Sequence, residues 1–443
     1  MIFLLFFICL IFMIMANWTI KNIYMSPTFI SAAMTAIGSI IYVSYLSYLQ
    51  KDISARAVAL VTLALFGIYV GELFGRSVKL KSDNIIKEKP SYLYIKKSTT
   101  LIVIVFMIIL LVLRLRHIQS SIGIYSVISA VSNYRAGLLR GENYFPVYIN
   151  IATWFAEIFC YLYVYVYISN LISNRVNEFR NLVPVVIYAL VSLTSTGRTN
   201  LIVIVVYLIT FTFLTIYERG DALTLSSKTL RRIIIGLAIF AGIFFLLGKV
   251  RAESIDGGTF VFVDSLFDYV SAGLYGLEVQ LEKHILEESQ YFGYYTLQFI
   301  YDFFNIPRSS VPSAYGYGYQ TANGSYSNLY MSIVFPMQDY GVFGMFITRI
   351  IIAAIFIIIY KKILDYRRGG IGYRVFLFLF LLPDLYYSFV EFLIYDRIRG
   401  TLLYPEGLIR HTILAWIVAK YLLRIRLRDE VTETYKIRIR LRR

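Results

Sequence analysis

Arginine and hydroxyl side chains gather in the stretch Ser195-Thr196-Gly197-Arg198-Thr199-Asn200, between two apolar segments, 181–194 and 201–217. The pattern predicts a hairpin at or within a membrane surface. An arginine at bilayer depth costs on the order of 3 kcal/mol, so an anion is the usual reason to keep one there. Gly197 and the neighbouring hydroxyls suit a cradle for a phosphate group. The alternative is a polar turn whose arginine extends to lipid headgroups.

A second arginine, Arg251, directly follows the apolar run 233–248. Arg198 and Arg251 both lie at helix ends, so they can converge on one site at the membrane surface. Two guanidinium groups can clamp a diphosphate through paired hydrogen bonds and neutralise a leaving pyrophosphate. The alternative is that they pair with lipid phosphates or nearby acids. Further candidates for substrate binding are Arg135, Arg140 and Arg308.

Two residues are candidate general bases. His284 lies in an acidic stretch, which is also typical of a solvated helix face. Asp339 precedes the segment Tyr340-Gly341-Val342-Phe343-Gly344, where the chain turns apolar again. An acid at this position suits catalysis and equally suits a cap on the helix predicted over 343–360.

Four acidic residues lie inside apolar runs. Asp384 and Glu391 are seven residues apart and therefore share one face of a helix. Acids within a membrane serve as proton relays or substrate sites, or they make polar contacts between helices. The first of these roles favours a transporter. The other two acids are Glu72 and Glu157.

The composition excludes a soluble globule. Hydrophobic residues make up 58% of 443 positions and charged residues 16%, which indicates an all-α polytopic membrane protein. The two cysteines, Cys9 and Cys160, lie in apolar runs, so we expect neither a disulfide nor a metal site. The chain lacks the P-loop, HExxH and G-x-S-x-G patterns, and we expect no cofactor.

About eleven membrane helices are expected, within a range of ten to twelve. The predicted spans are 1–16, 28–49, 57–74, 99–113, 147–170, 181–194, 201–217, 233–248, 343–360, 375–395 and 406–423. The first of them has no basic region before it, so we interpret it as a membrane segment and not as a cleaved signal.

Lysine and arginine set the expected orientation. They cluster in the loops 75–98, 218–232 and 361–374 and in the basic tail 424–443. With eleven spans these four segments lie on one side, and their charge assigns that side to the cytoplasm. The N-terminus, the hairpin around Arg198 and the large loop then face outward. The alternating basic and aliphatic residues of the tail suit anionic headgroups, and nothing else in the chain supports a nucleic-acid partner.

The predicted outer loop 249–342 is large enough to form a module of its own. Its first part, 260–286, has helical spacing and predicts short helices lying on the membrane. The loop is rich in tyrosine, whose ring covers the apolar side of a pyranose while its hydroxyl bonds the rim. The alternative is an interfacial aromatic belt. Candidate sugar contacts are Tyr315, Tyr317, Asn328 and Tyr330.

The whole pattern resembles the Wzy-type polymerases of bacterial O-antigen and other oligosaccharide repeat units. The resemblance rests on the many helices, the hairpin Thr194–Arg198 and the large loop beginning near Arg251. It also rests on Asn328-Leu329-Tyr330 followed by Asp339-Tyr340-Gly341 and Gly344, which is similar to the family's Asn-x-Tyr and Asp-Phe/Tyr-Gly-x-x-Gly pattern. It implies one integral membrane domain over 1–443, with a fold like that of the GT-C glycosyltransferases.

The resemblance also implies an activity. A glycan on undecaprenyl diphosphate would be transferred to the non-reducing end of a new lipid-linked repeat unit at the periplasmic face of the inner membrane. The expected partners are these lipid-linked oligosaccharides, membrane lipids and a chain-length regulator protein. Two alternatives remain, an O-antigen ligase acting on a lipid A core and a flippase or exporter of lipid-linked oligosaccharides.

Overall fold

The computed structural model describes residues 1–19, 23–49, 52–79, 92–123, 130–131, 133–134, 137, 143–173, 176–194, 198–218, 242, 267, 270–282, 289, 291–306, 319–320, 326–327, 330–368, 373–394, 398 and 403–425. The chain divides into two compact units. Unit 1 comprises Met1–Ser82, Val261–Ile363 and Leu381–Ile409. Unit 2 comprises Asp83–Phe260, Leu364–Phe380 and Arg410–Arg443.

Helices form nearly all of the described structure. In chain order they are α1 (Ile2–Thr19), α2 (Pro27–Leu49), α3 (Ala55–Ser77), α4 (Lys97–Ile122), α5 (Val147–Ser173), α6 (Val183–Leu193), α7 (Arg198–Glu218), α8 (Ala272–Glu282), α9 (Gln298–Phe303), α10 (Val334–Arg368), α11 (Leu381–Val390) and α12 (Pro405–Ile409). After α12 come a π-helix (Arg410–Leu414), a short α-helix (Ala415–Ile417) and a second π-helix (Val418–Leu422). A two-residue antiparallel ladder pairs β1 (Tyr319–Gln320) with β2 (Tyr326–Ser327).

Six helices of the described part are long and apolar enough to cross a membrane. They are Pro27–Leu46, Ala55–Ser77, Lys97–Ile122, Val147–Ile172, Val334–Asp365 and Tyr373–Val390. Shorter apolar helices cover Ile2–Trp18, Phe179–Leu193 and Asn200–Ile216. The chain is therefore a helical membrane protein. The predicted span 233–248 lies almost wholly outside the described residues, so the number eleven stays a prediction.

The helix predicted over 99–113 is longer in the structure. α4 continues to Ile122 and ends at Gly123, whose left-handed backbone (φ 70°) caps it. Arg114 suggested a loop because charge seldom continues a membrane helix. Its side chain is instead only 4% exposed and bonded inside unit 2, so the helix continues past it.

A stripe of glycines on α3 packs against α10 in unit 1. Gly67, Gly71 and Gly75 follow one another at intervals of four residues and so share one face. A Cβ on Gly67 would lie 2.9 Å from the Phe346 carbonyl oxygen, and one on Gly71 would clash with the backbone of Ile350. Small residues at this spacing allow two membrane helices to approach closely.

The predicted outer loop contributes a buried helix. α8 lies within the segment expected to rest on the membrane, but most of its residues are buried in unit 1. A Cβ on Gly273 would overlap the backbone of Leu393, and Ser271 Oγ donates to the Gly38 carbonyl oxygen at 2.7 Å. The surface position expected for this helix is therefore wrong, because its small residues let it pack among the other helices.

The helix predicted over 343–360 begins earlier and has a kink. α10 starts at Val334 and contains Gly341 in a non-helical conformation (φ 68°, ψ −173°). Glycine permits this positive φ at little cost, so the chain changes direction there. The predicted loop therefore ends before Val334, and Asp339 lies in the first part of α10.

Candidate functional site

The hairpin predicted around Arg198 joins two helices of unit 2. α6 ends at Leu193, Thr194 caps it, and α7 starts at Arg198 itself. The first turn of a helix carries partial positive charge and unpaired N–H groups. Arg198 therefore begins a helix whose backbone already favours an anion. Residues 195–197 and the Arg198 side chain lie outside what the structure describes.

A second arginine, Arg114 of α4, reaches the same hairpin. Its Nε donates to Thr194 Oγ1 at 2.6 Å, and its Nη1 donates to Thr153 Oγ1 on α5 at 2.9 Å. The guanidinium carbon lies 4.0 Å from the centre of the Phe145 ring, which is a cation–π distance. These contacts hold the guanidinium at the end of α6, one residue before the undescribed turn.

A largely buried group of ionisable side chains lies around Glu157 of α5, with Glu157 15% and Arg410 19% exposed. Arg410 Nη1 is 3.3 Å from Glu157 Oε2, and His411 Nε2 is 3.8 Å from Oε1. Tyr161 donates its hydroxyl to Oε1 at 3.1 Å. Arg410 and His411 open a π-helical segment, a distortion that is frequent at functional sites. Glu157 is thus a held counter-ion within the helix bundle.

Aromatic rings pack around this group. Tyr161 stacks on Tyr207 with ring centres 3.8 Å apart and meets the edges of Tyr188 and Phe380. His411 is only 1% exposed and contacts the rings of Tyr161 and Phe380. Rings packed in this way lower the local dielectric, which strengthens the attraction between Glu157 and Arg410.

Another of the predicted intramembrane acids, Glu72, has a structural role in unit 1. Glu72 Oε2 accepts from Ser26 Oγ at 2.7 Å and from the Thr28 N–H at 3.1 Å, at the start of α2. It also pairs with Arg76, one turn further along α3. A carboxylate at a helix N-terminus is favourable. These contacts support the interpretation of Glu72 as a contact between helices.

Asp339 anchors the loop that precedes α9. Its carboxylate accepts from the Tyr295 N–H at 2.9 Å and from the Thr296 N–H. The Ser289 N–H donates to the Gln338 carbonyl oxygen at 2.6 Å beside it. Asp339 is only 7% exposed. These bonds tie Asp339 to this loop, and the cap predicted for the helix after Gly341 stays a prediction.

Tyrosines of this loop form a small core. Tyr294 and Tyr295 are buried against Phe335, and Tyr301 packs beside them. Burial and the negative charge of Asp339 raise the pKa of Tyr301. Of the residues predicted to contact sugar, the structure describes Tyr330, which is only 2% exposed, so its ring faces the protein interior.

Most of the predicted site residues lie outside the described part of the chain. They are Arg251, His284, Arg135, Arg140, Arg308, Ser195, Gly197, Tyr315, Tyr317 and Asn328. Their roles stay predictions. In the part that the structure describes, no group of three or more His, Cys, Asp or Glu residues is arranged to hold a metal ion.

Three residues of the buried clusters were not predicted from the sequence. Arg114 directly follows the predicted span 99–113, and Arg410 and His411 lie near the start of the last span, 406–423. The one available signal was Glu157, because a carboxylate in a membrane helix needs a cation as partner. Several arginines could have met that need, so the sequence did not select Arg410.

No protein-family model, curated protein or solved structure matches this chain. The functional proposal therefore depends on the residues and contacts described above.

Proposed function

We propose that the chain is a membrane glycosyltransferase that joins undecaprenyl-diphosphate-linked oligosaccharides into a surface polysaccharide, an O-antigen or a capsule-like polymer. The enzyme would act at the periplasmic face of a bacterial inner membrane, with about eleven spans in a GT-C-like arrangement. The proposal rests on the sequence resemblance and on the following feature of unit 2.

The observation that carries the proposal is the position of Arg198 at the start of α7. The backbone at this position carries the partial positive charge of a helix N-terminus, and the residue that begins the helix is an arginine. A lipid diphosphate enters sideways from the bilayer, so its charge would lie where membrane helices begin and end. The described guanidinium of Arg114 lies at the end of α6, bonded to Thr194.

In the proposed reaction, the bond between the donor sugar's anomeric carbon and the diphosphate oxygen breaks. A hydroxyl oxygen at the non-reducing end of the acceptor forms the new glycosidic bond, and its proton passes to a general base. Arg198 and Arg251 would bind the departing undecaprenyl diphosphate and stabilise its negative charge. His284 remains a candidate base. Asp339 also remains one, although its bonds to the loop favour a positioning role.

One observation favours a different class of protein. The buried group Glu157, Arg410 and His411 has the composition of a proton relay in a transporter. A flippase or exporter of lipid-linked oligosaccharides is therefore the second candidate. An O-antigen ligase would use the same donor and differ in its acceptor, the lipid A core.

Deletion of the gene in its host separates the three functions. Loss of a polymerase leaves single repeat units on the cell surface, loss of a ligase leaves polymer that is not attached, and loss of a flippase leaves neither outside. We expect the first result, restored to a full ladder by the wild-type gene. Unattached polymer or an empty surface would instead assign the ligase or the flippase.

A further inference from the structure

Arg114 is a buried cation whose partners are neutral. The guanidinium bonds two threonine hydroxyls and lies over a phenylalanine ring. Among the residues that the structure describes, no carboxylate oxygen lies within 4.0 Å of it. The nearest acid along α5 is Glu157, one turn beyond Thr153, and Glu157 is already paired with Arg410.

The hydrogen bonds also have a direction. Thr194 Oγ1 donates its own proton to the Val191 carbonyl oxygen at 2.6 Å, and Thr153 Oγ1 donates to the Ile149 carbonyl oxygen at 2.7 Å. Both hydroxyls therefore accept from Arg114, and they orient its Nε and Nη1. Within the described residues no hydrogen bond uses Nη2, so one edge of the planar group has donors available for a ligand.

A buried charge in a membrane protein is normally compensated by an opposite charge. The two guanidinium groups beside α5, Arg114 and Arg410, face one described carboxylate, Glu157. Thr153 and Glu157 are four residues apart and share a face of α5, so the two arginines contact positions about one turn (~5.4 Å) apart along this helix. The surplus positive charge lies at Arg114, next to the hairpin.

We propose that Arg114 binds a phosphate-type anion at the α6–α7 hairpin, with Thr153 and Thr194 as the residues that position its guanidinium. The ligand is the phosphate end of a membrane lipid. It is either the diphosphate of a polyprenyl carrier, an identity that rests on the proposed function, or the headgroup of an anionic phospholipid. The planar fork of arginine matches two oxygens of such a group.

Binding is tested with the purified full-length protein in nanodiscs. One arm titrates farnesyl diphosphate into neutral nanodiscs, and the other measures retention of phosphatidylglycerol by native mass spectrometry. In at least one arm, Arg114→Gln should weaken binding by at least about tenfold, because a buried charge pair loses one partner. Arg116→Gln, an exposed arginine on the same helix, should bind as the wild type does. The arm that responds identifies the source of the phosphate.

Thr194→Asp is a second test that keeps the arginine. A carboxylate at this position would lie against the guanidinium, so it should occupy the site, raise the melting temperature and abolish binding of the probe. Wild-type affinity of a folded Arg114→Gln variant in both arms, or no binding by the wild type in either arm, would overturn the proposal. Where Arg114→Gln does not fold, Thr194→Asp alone decides.

Elongation assays on the same variants separate this inference from the proposed function. Arg114-dependent binding in a protein that does not elongate glycans would keep the phosphate site and reject the polymerase. Elongation by a protein whose phosphate binding does not depend on Arg114 would keep the polymerase and reject the phosphate site.

Discussion

At the scale of single residues, Arg410 and Arg114 are two arginines of unit 2 that are held in different ways. Arg410 forms an ion pair with Glu157, while Arg114 bonds hydroxyls and a ring face. An ion pair cancels charge within the bundle, whereas neutral partners only orient the guanidinium. We therefore assign the first mainly to stability and the second to binding.

Removing one partner of the Glu157–Arg410 pair should cost more than removing both. Glu157→Gln or Arg410→Gln leaves one charge of a largely buried pair without its partner, so we expect the free energy of unfolding to fall by about 1.5–3 kcal/mol in each single variant. The double variant should lose clearly less free energy of unfolding than the two single variants lose together. Equilibrium unfolding in mixed micelles measures this cycle.

The more exposed pair Glu178 and Arg180 serves as the control for that cycle. Arg180→Gln there should cost less than about 1 kcal/mol, because this guanidinium is 26% exposed and 3.5 Å from the carboxylate, so water screens the pair. Additive losses at Glu157 and Arg410 would contradict the ion pair.

The residue scale also shows what the sequence could predict. Glu157 stood out in the sequence because an acid in an apolar run is unusual, although the sequence left open whether it is a relay, a substrate site or a contact between helices. The sequence did not identify Arg410 and His411 as partners of Glu157. They lie about 250 positions after Glu157, and only the packing of helices brings the three residues together. Arg114 was placed in a loop for the same reason, since its stabilising threonines are on α5 and at the end of α6.

At the scale of elements, the glycine stripe on α3 sets its distance from α10. Gly71→Ala should push the two helices apart, because the new methyl group meets the Ile350 backbone, which cannot rotate away. We expect a loss of about 1–3 kcal/mol in the free energy of unfolding from this overpacking. Leu73→Ala, an exposed position of the same helix, should cost less. Equal losses in the two variants would contradict close packing at Gly71.

Asp339 joins the loop before α9 to α10. Asp339→Asn removes a negative acceptor for two backbone N–H groups, and such bonds contribute about 1.5–3 kcal/mol each. Hydrogen–deuterium exchange should therefore speed up at Tyr295 and Thr296. Exchange in α4, which belongs to unit 2, provides the internal reference. Unchanged exchange at both amides would mean that Asp339 does not anchor the loop.

Helix positions were more predictable than helix ends. Long apolar runs fixed α2, α3 and α5 to within a few residues, because hydrophobic length determines a membrane helix. The observed ends of α4 and α10 differ from the predicted ends by several residues. Composition does not reveal a buried polar contact or a glycine kink. Composition likewise did not reveal that α8 is buried.

At the scale of the whole molecule, the proposed orientation depends on the distribution of lysine and arginine. The chain has two cysteines, and both are buried with no exposed surface, so an added cysteine can report its own side of the membrane. In intact cells an impermeant maleimide should label Ser195→Cys in the hairpin. It should label Ser226→Cys, in the basic loop 218–232, only after permeabilisation. The reverse pattern would place the hairpin in the cytoplasm and exclude the proposed reaction.

The most direct test of the account is elongation by the purified protein. Synthetic undecaprenyl-diphosphate-linked repeat units are supplied without nucleotide sugar, and the products are separated by size. We predict a ladder with the wild type and with Arg180→Ala, and a single repeat unit with Arg198→Ala in protein of equal amount and fold. Arg198→Lys should also be impaired, because a point charge lacks the planar fork. A full ladder from Arg198→Ala, or no elongation by the folded wild type on its native repeat unit, would contradict the account.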